Sequence, residues 1–285
     1  MGNRGSRTVN TRRVEQKEIP IIKSYNNIKK ETICLKKTYK ESDDIYSLGF
    51  NFSCTSDALI TIYLCCTEFR SKDPSCPPVY FHTPDYVPVR PMSYKFSEGN
   101  KQTFPERAFT IDFSKFSEED VNSYIEGEYY PIIITIEADY PQPIRNDLRF
   151  YRENKRQAQI TYGYFMKNSS GEYNFLISKQ CFLFRDKIFR VEDIYGFEKH
   201  DDTGVEVFDD SQKECVICYS NIKDTIVYPC RHICLCAQCT QVVRMQNSKC
   251  PICRAQADKF ITVNVIKDCI SSPGEDEGFI PRINS

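Results

Sequence analysis

At 285 residues the chain exceeds a typical single domain, so one sizeable core and a smaller module are expected. A composition that is 40% hydrophobic and 27% charged, with 19 Phe, 18 Tyr and no Trp, excludes wholesale disorder. The formal net charge of -1 provides no basic field for nucleic acid, and no apolar run approaches the length of a membrane-spanning helix or a signal-peptide core.

Residues 1–30 read as a flexible basic tail. The opening MGNRGS places Gly2 after the initiator Met and Ser6 at the hydroxyl position of an N-myristoylation signature, and four arginines, Arg4, Arg7, Arg12 and Arg13, precede the first acidic residue, Glu15. One acyl chain anchors weakly, but each basic residue near an anionic leaflet adds about 1 kcal/mol, so reversible peripheral membrane contact is expected of a cytoplasmic protein.

Residues 31–198 are strand-like. "TICLKKTY", "YSLGFNFSC", "ALITIYLCC", "YPIIITIEAD", "QAQITYGYFM", "YNFLIS" and "CFLFRDKIFRV" are rich in β-branched and aromatic residues, many of them separated by turn residues such as Asn168 to Gly171. Period-two alternation with almost no helical pattern predicts a mainly β domain, an antiparallel sandwich or barrel. The best helix candidate is "FSEEDVNSYI", with Ser117 as N-cap ahead of Glu118 and Glu119. Cys34, Cys54, Cys65, Cys66, Cys76 and Cys181 lack paired metal spacing, and core packing is expected for most of them. "PPVY" at residues 77–80 matches a ligand for WW-type modules, although its place between predicted strands favours a proline-stiffened loop.

Residues 199–211 form an acidic linker that includes Asp201, Asp202, Glu206, Asp209 and Asp210, and residues 268–285 are expected to be a disordered, Pro-, Gly- and acid-rich tail. Between them, residues 212–267 hold Cys215-x2-Cys218, Cys230-x-His232, Cys236-x2-Cys239 and Cys250-x2-Cys253. In a reducing cytosol such density points to metal rather than disulfides. Zinc takes four thiolate or imidazole ligands in a structural site, so eight ligands suggest two closed sites and disfavour hydrolytic metal catalysis. So short a segment cannot build a self-sufficient core, and metal is expected to contribute on the order of 10 kcal/mol per site to its folding.

This order of pairs resembles a RING finger of the C3HC4 type. The resemblance implies a small α+β module with cross-brace ligation: Cys215, Cys218, Cys236 and Cys239 on one zinc, and Cys230, His232, Cys250 and Cys253 on the other. Cys234 is then left over, and packing beside the site is its expected role. By the same resemblance Ile217, Val243, Pro251 and Ile252 would form an apolar groove for a ubiquitin-charged E2 enzyme, with Val243 placed where a short central helix should begin. Arg254, after the last ligand, matches the basic linchpin that can hydrogen-bond both E2 and ubiquitin. The competing reading of the three aliphatic residues is that they fill the mini-core between the zincs.

Upstream, "GEYNF", "FLFRDKIFRVEDIYGFE" and "FSEGNKQTFPERAFTIDFSKFSEED" are similar to the mahogunin and plant LOG2-like ligases. That similarity implies a β domain that recognises a protein substrate or partner. It also implies a finger that recruits the E2 so that ubiquitin passes to a substrate lysine without a covalent ligase intermediate, an orientation effect. A non-catalytic, zinc-dependent protein adaptor is the alternative. Nucleic-acid binding is not expected, because the finger's basic residues lack aromatic interleaving or a clustered stripe. The strand-like "KFITVNVI" after the finger either completes a dimer interface or packs on the module.

Overall fold

The computed structural model describes residues 15–20, 24, 26–38, 44–71, 79–138, 157–184, 187–196, 214–264 and 279–283. The chain divides into two compact units. One comprises Lys23–Val191 with Glu277–Ile280; the other comprises Met1–Ile22, Glu192–Asp276 and Pro281–Ser285. The acidic linker, Gly2 and the two prolines of the PPVY motif lie outside the described residues, while Val79 and Tyr80 open a strand.

In chain order the first strands are β1 (Glu15–Pro20), β2 (Asn26–Ile28), β3 (Cys34–Lys37), β4 (Ile45–Gly49), β5 (Asn51–Cys54) and β6 (Ala58–Arg70). Next come β7 (Val79–His82), β8 (Met92–Phe96), β9 (Gly99–Thr103), β10 (Thr110–Asp112), helix α1 (Glu118–Asn122), β11 (Tyr129–Ala138) and β12 (Gln157–Lys167). They are followed by β13 (Tyr173–Phe184), β14 (Lys187–Ile194), β15 (Thr225–Tyr228), β16 (His232–Leu235), helix α2 (Ala237–Gln246), β17 (Lys259–Asn264) and β18 (Phe279–Ile283).

The larger unit is mainly β, as its sequence predicts. A broad antiparallel sheet runs in the order β14-β13-β12-β11-β6-β7, with β8 also pairing with β6, and two three-stranded sheets run β10-β4-β3 and β2-β5-β9. Alternation explains the layering. Ile60, Ile62 and Leu64 of β6 and Ile132, Ile134 and Ile136 of β11 are buried with Leu48, Phe52, Phe104, Phe109 and Phe113 of the shorter elements in one cluster. Each such side chain contributes about 1.5–3 kcal/mol on burial. Edge-to-face and stacked rings fill the cluster, among them Phe50 on Phe104 at 4.6 Å and Phe113 on Tyr173 at 3.9 Å.

The β6–β11 register passes from Tyr130↔Cys66 to Ile132↔Leu64, skipping Cys65 and Pro131. Pro131 has no N–H to give the ladder, and Cys65 takes a φ of 45° opposite it. Cys66 and Tyr130 consequently join a second cluster with Ile133, Ile160, Tyr162 and Cys181. There the buried Lys179 amine lies 5.1 Å and 4.5 Å from the ring centres of Tyr130 and Tyr162. Cys54, Cys65, Cys66 and Cys181 are buried, and burial pushes the Cys54, Cys65 and Cys181 thiols up to about 11, whereas Cys34 is exposed. Ser117 caps α1 reciprocally with Asp120, as its sequence predicts.

Three stretches depart from expectation. Asn26–Ile28, at the end of the tail expected to be flexible, is a strand paired antiparallel with β5. Glu15–Pro20, within the tail expected to be flexible, is a strand because it completes backbone hydrogen bonding along β17. Phe279–Ile283, within the tail expected to be disordered, is also a strand, because it finds a hydrogen-bonding partner in β14 at the edge of the broad sheet.

Candidate metal centre

The smaller unit holds a four-stranded sheet, β1-β17-β15-β16, and α2. Its ligands sit at the places where these elements turn. In the first pair, Cys215 N–H donates to Asn221 O and Tyr219 N–H to Cys215 O, closing a tight loop in which Tyr219 takes a φ of 51°. The last pair repeats the arrangement: Cys250 N–H donates to Ala255 O, Arg254 N–H to Cys250 O, and Arg254 has a φ of 61°. Each turn directs two sulfurs to one side. Cys230 and His232 flank the turn between β15 and β16, where Arg231, with a φ of 61°, donates its N–H to Val227 O. Cys236 is the N-cap of α2; its Sγ accepts from Cys239 N–H at 3.4 Å and its carbonyl from Thr240 N–H at 3.0 Å.

The outcome is two sets of four. Cys215, Cys218, Cys236 and Cys239 have ligand atoms all within 4.8 Å of one another, and so do Cys230, His232, Cys250 and Cys253. A tetrahedral zinc with bonds of about 2.3 Å sets its sulfurs about 3.8 Å apart, so small side-chain adjustments reach that geometry. The donor chemistry fits as well. Backbone N–H groups of Asn221 and Ser220 hold the Cys218 thiol down to about 7, and the Ala255 N–H lowers Cys253. Burial acts the other way on Cys230, pushing it up to about 12, the kind of opposition that an ion's charge overcomes. Asn221 adds outer support, its side-chain amide lying 3.7 Å from Cys236 Sγ and 3.2 Å from Gln238 Oε1. Both sets therefore suit zinc, with four ligands each.

Between the sets lies a small core of Val227, Leu235, Val243, Ala257 and Phe260, together with Cys215, Cys234, Cys236 and Cys250. Cys234 is buried and burial raises its pKa, which leaves it an inert packing thiol.

The apolar groove residues divide. Ile217 and Ile252 are 47% and 53% exposed, each inside the turn of a different ligand pair; Pro251 is half-buried and Arg254 is exposed. Val243 is buried in the mini-core at 7% exposure. The correction has a geometric cause. The helix begins at Ala237, before Cys239, and not near Val243, so its inner face carries Thr240 and Val243, three residues apart, and presents Val242 and Met245 outward.

Some residues without a metal-ligand signal also build the unit. Tyr195 bridges to His232: Tyr195 N–H donates to Arg231 O, and Ile233 N–H donates back to Tyr195 O. The Arg231 guanidinium lies 5.2 Å from the centre of the Tyr195 ring and donates to its hydroxyl. Lys223 Nζ donates to Gly196 O at 2.6 Å. Gly196, with a φ of 101°, is required because a Cβ would sit 2.9 Å from Ile233 O. Only the glycine itself offered a cue in the sequence.

Comparison with known proteins gives a consistent picture. Residues 26–190 match the family described as RNF157-like N-terminal domain, and residues 211–260 match the zinc finger, C3HC4 type (RING finger). The chain is 30% identical over 259 residues to the probable E3 ubiquitin-protein ligase LOG2 of Arabidopsis thaliana, covering 88% of this chain and 63% of that protein. It is 26% identical over 272 residues to the E3 ubiquitin-protein ligase MGRN1 of Mus musculus, covering 87% and 47%. Against the E3 ubiquitin ligase Rnf157 of Xenopus laevis the identity is 26% over 284 residues, 94% of this chain and 40% of that one. The chain thus spans roughly two fifths to just under two thirds of these relatives' length.

Proposed function

The chain belongs to the RNF157-like family, its β domain followed by a C3HC4 RING finger, and from that premise we propose that it is a RING-type E3 ubiquitin-protein ligase. The observation that carries the reading is a finger whose eight metal donors are used up in two four-ligand sets while Ile217 and Ile252, one in each set's turn, stand exposed. Such a module has an apolar surface to offer a partner and no coordination position to offer a substrate.

In this reading zinc, held by the Cys215 and Cys230 sets, supplies a rigid cross-link. Ile217, Pro251 and Ile252 meet the E2, and Arg254, fixed by its N–H bond to Cys250 O, reaches toward E2 and ubiquitin. The finger contributes orientation: the E2-bound thioester is held so that a substrate lysine attacks an aligned carbonyl. Val243 acts from below, as support for α2. The β domain selects the protein substrate. The relatives named as ubiquitin ligases support the activity, and MGNRGS supports myristoylation of Gly2 with reversible membrane contact of a cytoplasmic protein.

Autoubiquitination with a panel of E2 enzymes tests the activity. Ile217→Ala is expected to lower the rate at least tenfold while two zincs stay bound, in line with loss of an exposed apolar anchor of about 1.4 kcal/mol or more. If no E2 supports chain formation, the adaptor reading replaces this one. Intact mass after expression with an N-myristoyltransferase reads the modification of Gly2.

A further inference from the structure

β17 has an unusual neighbour. On one side it pairs antiparallel with β15; on the other it pairs parallel with β1 over six consecutive residues, from Glu15↔Lys259 to Pro20↔Asn264. A parallel partner from the far end of the chain is not a by-product of a tight turn. Gln16 fastens it at two points: its Nε2 donates to Thr262 Oγ1 at 3.2 Å, and its Oε1 accepts from Arg244 Nη1 of α2 at 3.2 Å. Thr262 is tied in turn to Thr225 of β15 at 3.1 Å.

The two strands differ in chemistry. β17 reads KFITVN, and Phe260, Ile261 and Thr262 are consecutive buried residues of high strand propensity. Left as an edge, such a strand would present a row of unpaired N–H and C=O groups on an apolar, nearly uncharged template. β1 reads EQKEIP, three charged residues and a closing proline, the residue types that make an edge refuse further pairing.

We propose that the outer edge of β17 is a strand-docking site held in cis by Glu15–Pro20, and that this occupation keeps the finger from pairing edge to edge with a second copy of the chain. The competing arrangement sets β17 antiparallel to its own copy about a two-fold axis, an isologous contact that needs the same edge and is closed while β1 is seated. The N-terminal segment is thereby a component of the finger, and whatever displaces it changes the oligomeric state.

Hydrogen exchange and light scattering on the zinc-loaded chain, intact and starting at residue 21, test this. In the intact chain the amides of Phe260 and Thr262, which alternate with the Val263 N–H that donates to Asp224 O and so face β1, are expected to exchange about tenfold to a hundredfold more slowly than in the shortened one. The shortened chain is expected to self-associate at about 10–100 μM, and a synthetic peptide of residues 11–22, but not its scrambled form, to reverse both changes. A shortened chain that stays monomeric with unchanged exchange in β17 overturns the proposal. Should it fail to retain two zincs, the intact chain decides: amides 260 and 262 exchanging as fast as an open edge overturn it, and slow exchange that Gln16→Ala accelerates supports it.

Discussion

In the β domain one buried cluster gathers twenty residues, eight of them aromatic; in the finger the corresponding cluster has nine, of which four are cysteines and Phe260 is the sole ring. Both units are built around sheets, yet the first packs around large apolar side chains while three of the finger's four buried cysteines are also metal ligands. Packing energy scales with the number of large side chains that can be enclosed, and about fifty residues cannot enclose enough of them. The two regions should therefore fail under different insults.

The largest difference is expected on metal removal. Chelation should abolish exchange protection across residues 214–264, a loss on the order of 10 kcal/mol per site, and leave the β6–β11–β12 core of the other unit protected. Protection that persists in the finger without zinc would break the comparison. The converse experiment is Phe52→Ala, which should cost the β domain about 3–5 kcal/mol in denaturant unfolding while two zincs remain bound to the finger.

A matched pair of glycines sharpens the contrast at smaller scale. In Gly163→Ala the new methyl would collide with the Phe175 ring and lie 3.1 Å from Leu176 O, and in Gly196→Ala it would meet Ile233 O at 2.9 Å on a backbone with a φ of 101°. Each should destabilise its own unit by about 1–3 kcal/mol, the first read as an earlier β-domain transition and the second as faster zinc release from the Cys230 set. The smallest effect is electrostatic. The Ser114 hydroxyl, above all, holds the Asp112 carboxyl below its usual value, so its contribution is present above the unfolded carboxylate range near pH 4 and is lost as pH falls through the folded value. Asp112→Asn should flatten that acid slope slightly without changing stability differences among variants at neutral pH.

What could be read from the chain was local. Alternation in "ALITIYLCC" and "YPIIITIEAD" marks β6 and β11, Ser117 announces α1, and the cysteine pairs need only x2 spacing to be seen. What could not be read depends on partners distant in sequence. Glu15–Pro20 has poor strand propensity and becomes a strand because β17, some 240 residues on, offers it a ladder. Tyr195 and Gly196 dock on residues 231–233 with no periodicity to betray it. Val243 turns into the mini-core for a different reason: successive side chains of α2 point about 100° apart, and its phase from Ala237 buries Thr240 and Val243 together.

The match to the C3HC4 pattern stops at residue 260, the second residue of β17. An excision at that boundary severs Ile261 and Thr262 from Ile226 and Thr225, and an excision beginning at residue 211 discards Tyr195 and Gly196 as well. Material prepared for biophysics from that minimal span would carry all eight metal donors and still lack part of its scaffolding, so a complete recombinant finger has to be stitched from two separate stretches of the gene product, residues 15–20 and 195–264.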